Sequence, residues 1–195
     1  MRFLAILTLS ATGPLLAAAT ALAADVAAPA YPRESAVYAP PLLSEMRLGF
    51  SAQDPSGPEK GSYNFTGEVL TSKFWRTNDW TDFFIPRFHA GGSVNFRGDT
   101  SFAYAGLTWT LDITPKFFVE GSFGGAVHNG DTSATGRPDH NALGCSPLFR
   151  ESASVGLRFD ERWSLIGTVE HMSNAGLCSQ NRGLTNIGVR LGYSF

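Results

Sequence analysis

The sequence predicts an all-β protein, an eight-stranded antiparallel transmembrane β-barrel. Three observations carry that expectation. From Ser44 onward apolar and polar residues alternate with a period of two, the period of a strand. The alternating runs reach ten or more residues, as a tilted bilayer crossing needs and an ordinary globular strand does not. Their polar faces keep placing charges within strands, at Arg47, Glu68, Arg87, Glu120, Arg150, Arg158, Glu170 and Arg190, as a narrow polar lumen would. An even number of strands closed on itself leaves no backbone edge unpaired in lipid.

The 195 residues suggest one domain. Residues 1–23 read as a signal peptide: Arg2 is a short positive region, Phe3–Leu7 and Leu15–Ala19 are apolar, and Ala21-Leu22-Ala23 is a cleavage site. Gly13-Pro14 interrupts the apolar run, which argues against a retained helix, and no other window reaches the roughly 18 apolar residues of a membrane helix. Residues 24–43 form an Ala/Pro-rich leader, expected in the periplasm, and the barrel is expected over 44–195. Without Arg2 the chain has 14 basic and 17 acidic residues, a net charge of −3, and nothing suggests nucleic acid as a partner. The 21 Gly, 15 Phe and 16% charged residues fit short alternating strands better than amphipathic helices.

Eight strands are expected at 44–54, 61–73, 82–97, 101–113, 116–128, 148–160, 162–173 and 183–195. In the third, Phe84, Phe88, Val94 and Phe96 share a face opposite Arg87, His89, Ser93 and Asn95. In the fourth, Leu107, Trp109, Leu111 and Ile113 oppose Tyr104, Thr108, Thr110 and Asp112. In the fifth, Phe117, Val119, Phe123 and Val127 oppose Glu120, Ser122 and His128. The sixth sets Phe149, Val155, Leu157 and Phe159 against Arg150, Ser152, Ser154 and Arg158. The seventh sets Trp163, Leu165 and Val169 against Ser164, Thr168 and Glu170. The last alternates through Ile187, Val189, Leu191 and Tyr193 to a terminal Phe195, which resembles the assembly signal of bacterial outer-membrane barrels.

Short turns fall at Thr114-Pro115-Lys116 and around Glu161, and longer loops at 128–147 and 174–182. Long loops belong outside the cell and short turns in the periplasm. Cys145 and Cys178 then lie in the two outer loops, where an exported chain would join them in a disulfide; two free thiols are the alternative. Trp75 and Trp80, in the link from the second to the third strand, read as an interfacial aromatic girdle.

His171 and Ser173 are two apart on one strand and share a face. Parity puts that face with Trp163, Leu165 and Val169, toward lipid, near the outer end of the strand. A polar pair there is costly unless its members bond each other or a lipid. The spacing alone also fits interfacial polar residues closing a strand. No His and Cys spacing resembles a zinc site, and neither a metal nor any other cofactor is expected.

The stretch His171-x-Ser173-Asn174-Ala175-Gly176-Leu177, followed by Asn181-x-Gly183, resembles the PagL-type lipid A 3-O-deacylases, an outer-membrane acyloxyacyl hydrolase family. The likeness is looser at Phe118-Val119-Glu120-Gly121 and Val155-Gly156-Leu157-Arg158-Phe159. It implies an eight-stranded barrel with its active site facing the outer leaflet. It further implies Ser173 as nucleophile, His171 as general base, the N–H groups of Ala175 and Gly176 as oxyanion hole, and Asn174 and Asn181 as its support. The third member of the family's triad is an acid twelve residues after the serine, and here that position is Thr185. Thr185 can hydrogen-bond the imidazole but cannot offset imidazolium charge. Glu151 also faces outward, and if Phe159 pairs with Trp163 across the turn near Glu161, Glu151 falls opposite His171. It would then complete the triad; binding headgroup cations or capping the strand are the other roles open to it.

The function so implied is an outer-membrane serine esterase hydrolysing an ester-linked acyl chain, at the 3-O position, of lipid A in lipopolysaccharide. The alternative, favoured by Thr185, is a non-catalytic barrel that binds lipopolysaccharide or is structural. The expected partners are lipopolysaccharide of the outer leaflet, the membrane itself and the outer-membrane assembly machinery engaging Phe195. A homodimer is left open.

Overall fold

The computed structural model describes residues 41–77, 79–133 and 137–195. The expected signal peptide, and the leader up to residue 40, lie outside the described residues. Eight strands form one closed antiparallel barrel in which each pairs with its neighbours in sequence and the last pairs with the first. They are β1 Leu43–Gln53, β2 Ser62–Thr71, β3 Arg87–Asn95 and β4 Phe102–Asp112, then β5 Phe117–His128, β6 Leu148–Arg158, β7 Trp163–Ser173 and β8 Leu184–Ser194.

The third strand is shorter than its expected span of 82–97. Trp80–Phe84 form a 3₁₀ turn instead. Asp79 caps that turn by accepting the Thr81 N–H, and Pro86, which has no N–H to give a ladder, separates it from β3. Phe84 is therefore not on a lipid-facing strand; its carbonyl accepts the indole N–H of Trp109 from β4. The same link holds a Lys73–Asp82 ion pair at 2.6 Å, and that hydrogen bond keeps the Asp82 carboxyl below the usual carboxylate range. Trp75 and Trp80 both lie exposed in it.

Strand parity sorts the side chains into two environments. Outward, large apolar groups such as Leu48, Phe65, Phe88, Leu107, Phe123, Val155, Leu165 and Val189 form a continuous exposed belt, which in a bilayer meets acyl chains. Inward, Glu45, Glu68, Glu120 and Glu170 face Arg47, Arg87, Arg150 and Arg190. Arg47 reaches Glu120 at 2.7 Å and Glu45 at 2.7 Å, and Arg87 bridges the same two acids at 2.9 and 2.6 Å. Arg190 bridges Glu68 at 3.1 Å and Glu170 at 3.2 Å, and Arg150 also holds Glu170. Tyr104 donates to Glu68 and lies under the Arg150 guanidinium, 3.8 Å from its ring centroid. Four carboxylates thus meet four guanidinium groups, each desolvated charge beside an opposite one, and the lumen is filled with side chains rather than open.

The two ends of the barrel differ. Leu43 and Phe195 lie at one, which we call the terminus end. At the other, the disulfide end, the segments after β5 and β7 are joined by Cys145–Cys178, with Cα atoms 6.1 Å apart. The loops there fold inward over the lumen. Glu59 is buried and accepts from the Thr100 hydroxyl at 2.7 Å, the Asn141 N–H at 3.0 Å and the Gln53 amide, which ties three loops together.

Candidate active site

β7 runs from Trp163 to Ser173 and presents its odd-numbered residues outward, so His171 and Ser173 stand on the lipid-facing side next to the disulfide end. Both are half-buried. Glu170, one residue earlier, points the opposite way, into the Arg150–Arg190 cluster.

His171 has a neighbour in register on each side. On β6 it is Glu151, paired directly because Phe159 and Trp163 close a tight turn with a 2.9 Å backbone bond. On β8 it is Thr185. The imidazole leans toward β8, where Nδ1 lies 2.8 Å from Thr185 Oγ1. The Glu151 carboxylate is exposed and makes no hydrogen bond or ion pair with any described residue.

The difference between these two neighbours is chemical. A carboxylate only accepts, so it would force the proton onto Nδ1 and leave Nε2 free as a base. A hydroxyl can donate as well as accept, so Thr185 positions the ring without dictating its tautomer.

Gly183 matters to the same ring. It adopts φ +73°, and a Cβ placed there would stand 2.7 Å from His171 Cε1 and 3.1 Å from Nε2. The absent side chain leaves the space that the reactive edge of the imidazole occupies. Ser173 Oγ makes no hydrogen bond with any described residue, and none links it to His171.

The loop after Ser173 is organised by Asn174, a residue with 1% exposure. Its Nδ2 donates to the carbonyls of Leu143 (2.8 Å) and Gln180, and its Oδ1 accepts the Gly176 N–H at 2.9 Å. Its own N–H donates to Asn181 Oδ1 at 2.9 Å. Ala175 and Gly176 follow with φ of 53° and 80°. Of the two N–H groups expected to face an oxyanion, that of Gly176 is thus engaged by Asn174, and that of Ala175 has no partner among the described residues. The Cys145–Cys178 bond and an Arg182 N–H to Ala142 carbonyl bond (3.2 Å) hold this loop against the loop after β5.

The remaining histidines stand apart from this group. His89 is buried in the lumen on Thr108, His128 bonds the Cys145 carbonyl, and His140 lies beside Asp139. Among the described residues no group of three or more His, Cys, Asp or Glu side chains is arranged to hold a metal ion.

A family model described as lipid A 3-O-deacylase (PagL) matches residues 59–194. The chain belongs to the PagL family. The match runs from the first loop of the disulfide end through β8 and includes His171, Ser173 and Thr185. Among solved structures, the outer membrane enzyme PagL superposes with a TM-score of 0.56 at 19% identity, over 76% of this chain and 98% of that one. A de novo designed transmembrane β-barrel superposes with a TM-score of 0.52 at 10% identity, over 80% of this chain and 98% of that one. At such identities these likenesses speak for the fold. A comparison with curated protein sequences found no match.

Sequence reasoning missed the weight carried by Gly183 and by the Asp54, Asn141 and Arg182 side chains near it. The position of Gly183 directly after Asn181-Arg182 was the available signal for the first. The others depend on how two distant loops fold over the barrel mouth.

Proposed function

We propose that this PagL-family barrel is a serine esterase of the outer membrane that removes an ester-linked acyl chain from lipid A, at the 3-O position. The observation that carries this reading is the outward pair His171 and Ser173 at the rim of the apolar belt. Membrane lipid reaches that face laterally, with its acyl chains along the belt and its headgroup at the loops. The loops of the disulfide end then face outside the cell, and both chain ends face the periplasm. Export by a signal peptide and assembly through Phe195 belong to the same reading.

In the proposed mechanism Ser173 Oγ attacks the acyl carbonyl while His171 Nε2 takes its proton. Negative charge on the carbonyl oxygen is met by the Ala175 N–H, and by the Gly176 N–H as it exchanges its Asn174 bond for the substrate. The intermediate collapses, the bond between the acyl carbon and the sugar oxygen breaks, and the imidazolium gives its proton to that oxygen as it leaves as the sugar hydroxyl. Water then repeats the sequence on the acyl-enzyme and releases the fatty acid. Thr185 Oγ1 accepts from Nδ1, and Glu151 opposes the positive charge that the ring gains. Catalytic hydrogen bonds often tighten only with substrate present, which accommodates the unbonded Ser173. The scheme needs no cofactor.

A non-catalytic barrel that binds lipopolysaccharide is the competing reading. The observation favouring it is that the hydroxyl of Thr185, not a carboxylate, bonds the His171 ring. Mass spectrometry of lipid A from cells expressing wild type or Ser173→Ala separates the two. Loss of one ester-linked hydroxyacyl chain with wild type alone is expected. Identical spectra, with both proteins inserted, would mean the binding module.

A further inference from the structure

A cleft of about 280 Å³ opens beside the candidate active site, on the far side of β8 from Ser173. One wall is the turn after β1, at Asp54, and the other is the start of β8, at Arg182, Gly183, Thr185 and Ile187; Asn141 closes it from the loop after β5. It shares two residues with the catalytic group. Thr185 bonds His171, and Gly183 makes room for the imidazole. A 2.7 Å bond from the Asp54 N–H to the Thr185 carbonyl fixes the two walls together.

The lining is amphipathic in a definite order. Ile187 is 51% exposed on the lipid-facing belt. Arg182 is exposed at the opposite end, and its guanidinium forms no ion pair or hydrogen bond with any described residue. The Asp54 carboxylate is buried, with Oδ2 taken by the Asn141 amide at 2.8 Å. Its second oxygen accepts no side-chain donor among the described residues. A ligand fitting this order has an apolar chain low in the cleft, an anionic group at Arg182 and a hydroxyl for Asp54. A free guanidinium fork matches the oxygens of a phosphate. A carboxylate on the facing wall repels a bare anion, and so favours a phosphate carried on a hydroxyl-bearing sugar.

We infer that this cleft is the headgroup subsite of the enzyme, in which Arg182 binds a phosphate of an acylated sugar lipid and so selects phosphorylated over dephosphorylated substrate. The inference rests on the esterase reading for its substrate. It adds a specificity-determining residue at a position the motif leaves unassigned, between Asn181 and Gly183.

Binding tests it separately from catalysis. Ser173→Ala protein in detergent micelles is titrated with a bisphosphorylated, acylated glucosamine disaccharide and with its dephosphorylated counterpart. Adding Arg182→Gln is expected to weaken binding of the phosphorylated ligand about tenfold, the worth of roughly one charge-assisted contact. Arg182→Lys should recover part of that loss, and the dephosphorylated ligand should bind all three proteins alike. Equal affinity of the phosphorylated ligand for the proteins with and without the Arg182→Gln change would overturn the proposal. So would displacement of the lipid by equimolar inorganic phosphate, which would mark a site for the free ion. Hydrolysis by wild type is scored independently. Its absence, with Arg182-dependent binding retained, would sink the esterase reading and leave the subsite standing.

Discussion

Glu170 and His171 are adjacent in sequence and occupy opposite environments. Glu170 faces the lumen, where Arg150, Arg190 and the Asn186 amide all bond it. His171 faces the apolar belt with one hydroxyl on its ring and an unpaired carboxylate across the strand. In the lumen four glutamates stand against four arginines. The outer rim leaves Ser173 Oγ, the Glu151 carboxylate and the Arg182 guanidinium without partners among the described residues. Charges paired with opposite charges hold a barrel together; unpaired ones at a lipid boundary are available to a ligand.

That contrast can be broken from either side. The largest effect is expected in the lumen and should appear as stability. Glu170→Gln leaves two buried arginines under-compensated and should cost about 3 kcal/mol of unfolding free energy in detergent, with kcat unaltered. A rate loss without a stability loss would place Glu170 in the chemistry instead. At the rim the order reverses. Glu151→Gln should lower kcat about a hundredfold and leave the unfolding midpoint in place, because the role proposed for this exposed carboxylate is to offset imidazolium charge, not to hold the fold. Unchanged turnover would remove Glu151 from the mechanism. Thr185→Val should cost under tenfold, as a positioning hydroxyl would. Thr185→Glu should restore turnover to the Glu151→Gln protein, since a carboxylate on β8 would then take the role proposed for Glu151 on β6. Failure of that rescue, with the barrel intact, would mean that a carboxylate beside His171 is not what sustains turnover.

Much of this was legible in the sequence. Period-two alternation placed the strand ends within a few residues because one face meets lipid and the other a charged lumen. A one-residue slip would exchange them. The tight turn at Glu161 made the Glu151–His171 register readable, and the two cysteines found each other because both loops leave the same end. The third strand begins later than its alternation indicates. Apolar residues before Pro86 look like strand until the Asp79 cap and the missing proline N–H are counted. The role of Asn174 and the cleft at Arg182 were not legible. Both arise where segments far apart in sequence, at Asp54, Asn141 and Leu143, fold over the barrel mouth.

The proposed activation of Ser173 as a nucleophile on the lipid-facing side of the barrel can be probed by covalent capture. Labelling the detergent-solubilised protein with a lipophilic fluorophosphonate, followed by peptide mass spectrometry, tests it most directly. One phosphonylated residue, Ser173, is expected, with the label lost in His171→Ala. An unlabelled wild type, or a label that persists without His171, would contradict it.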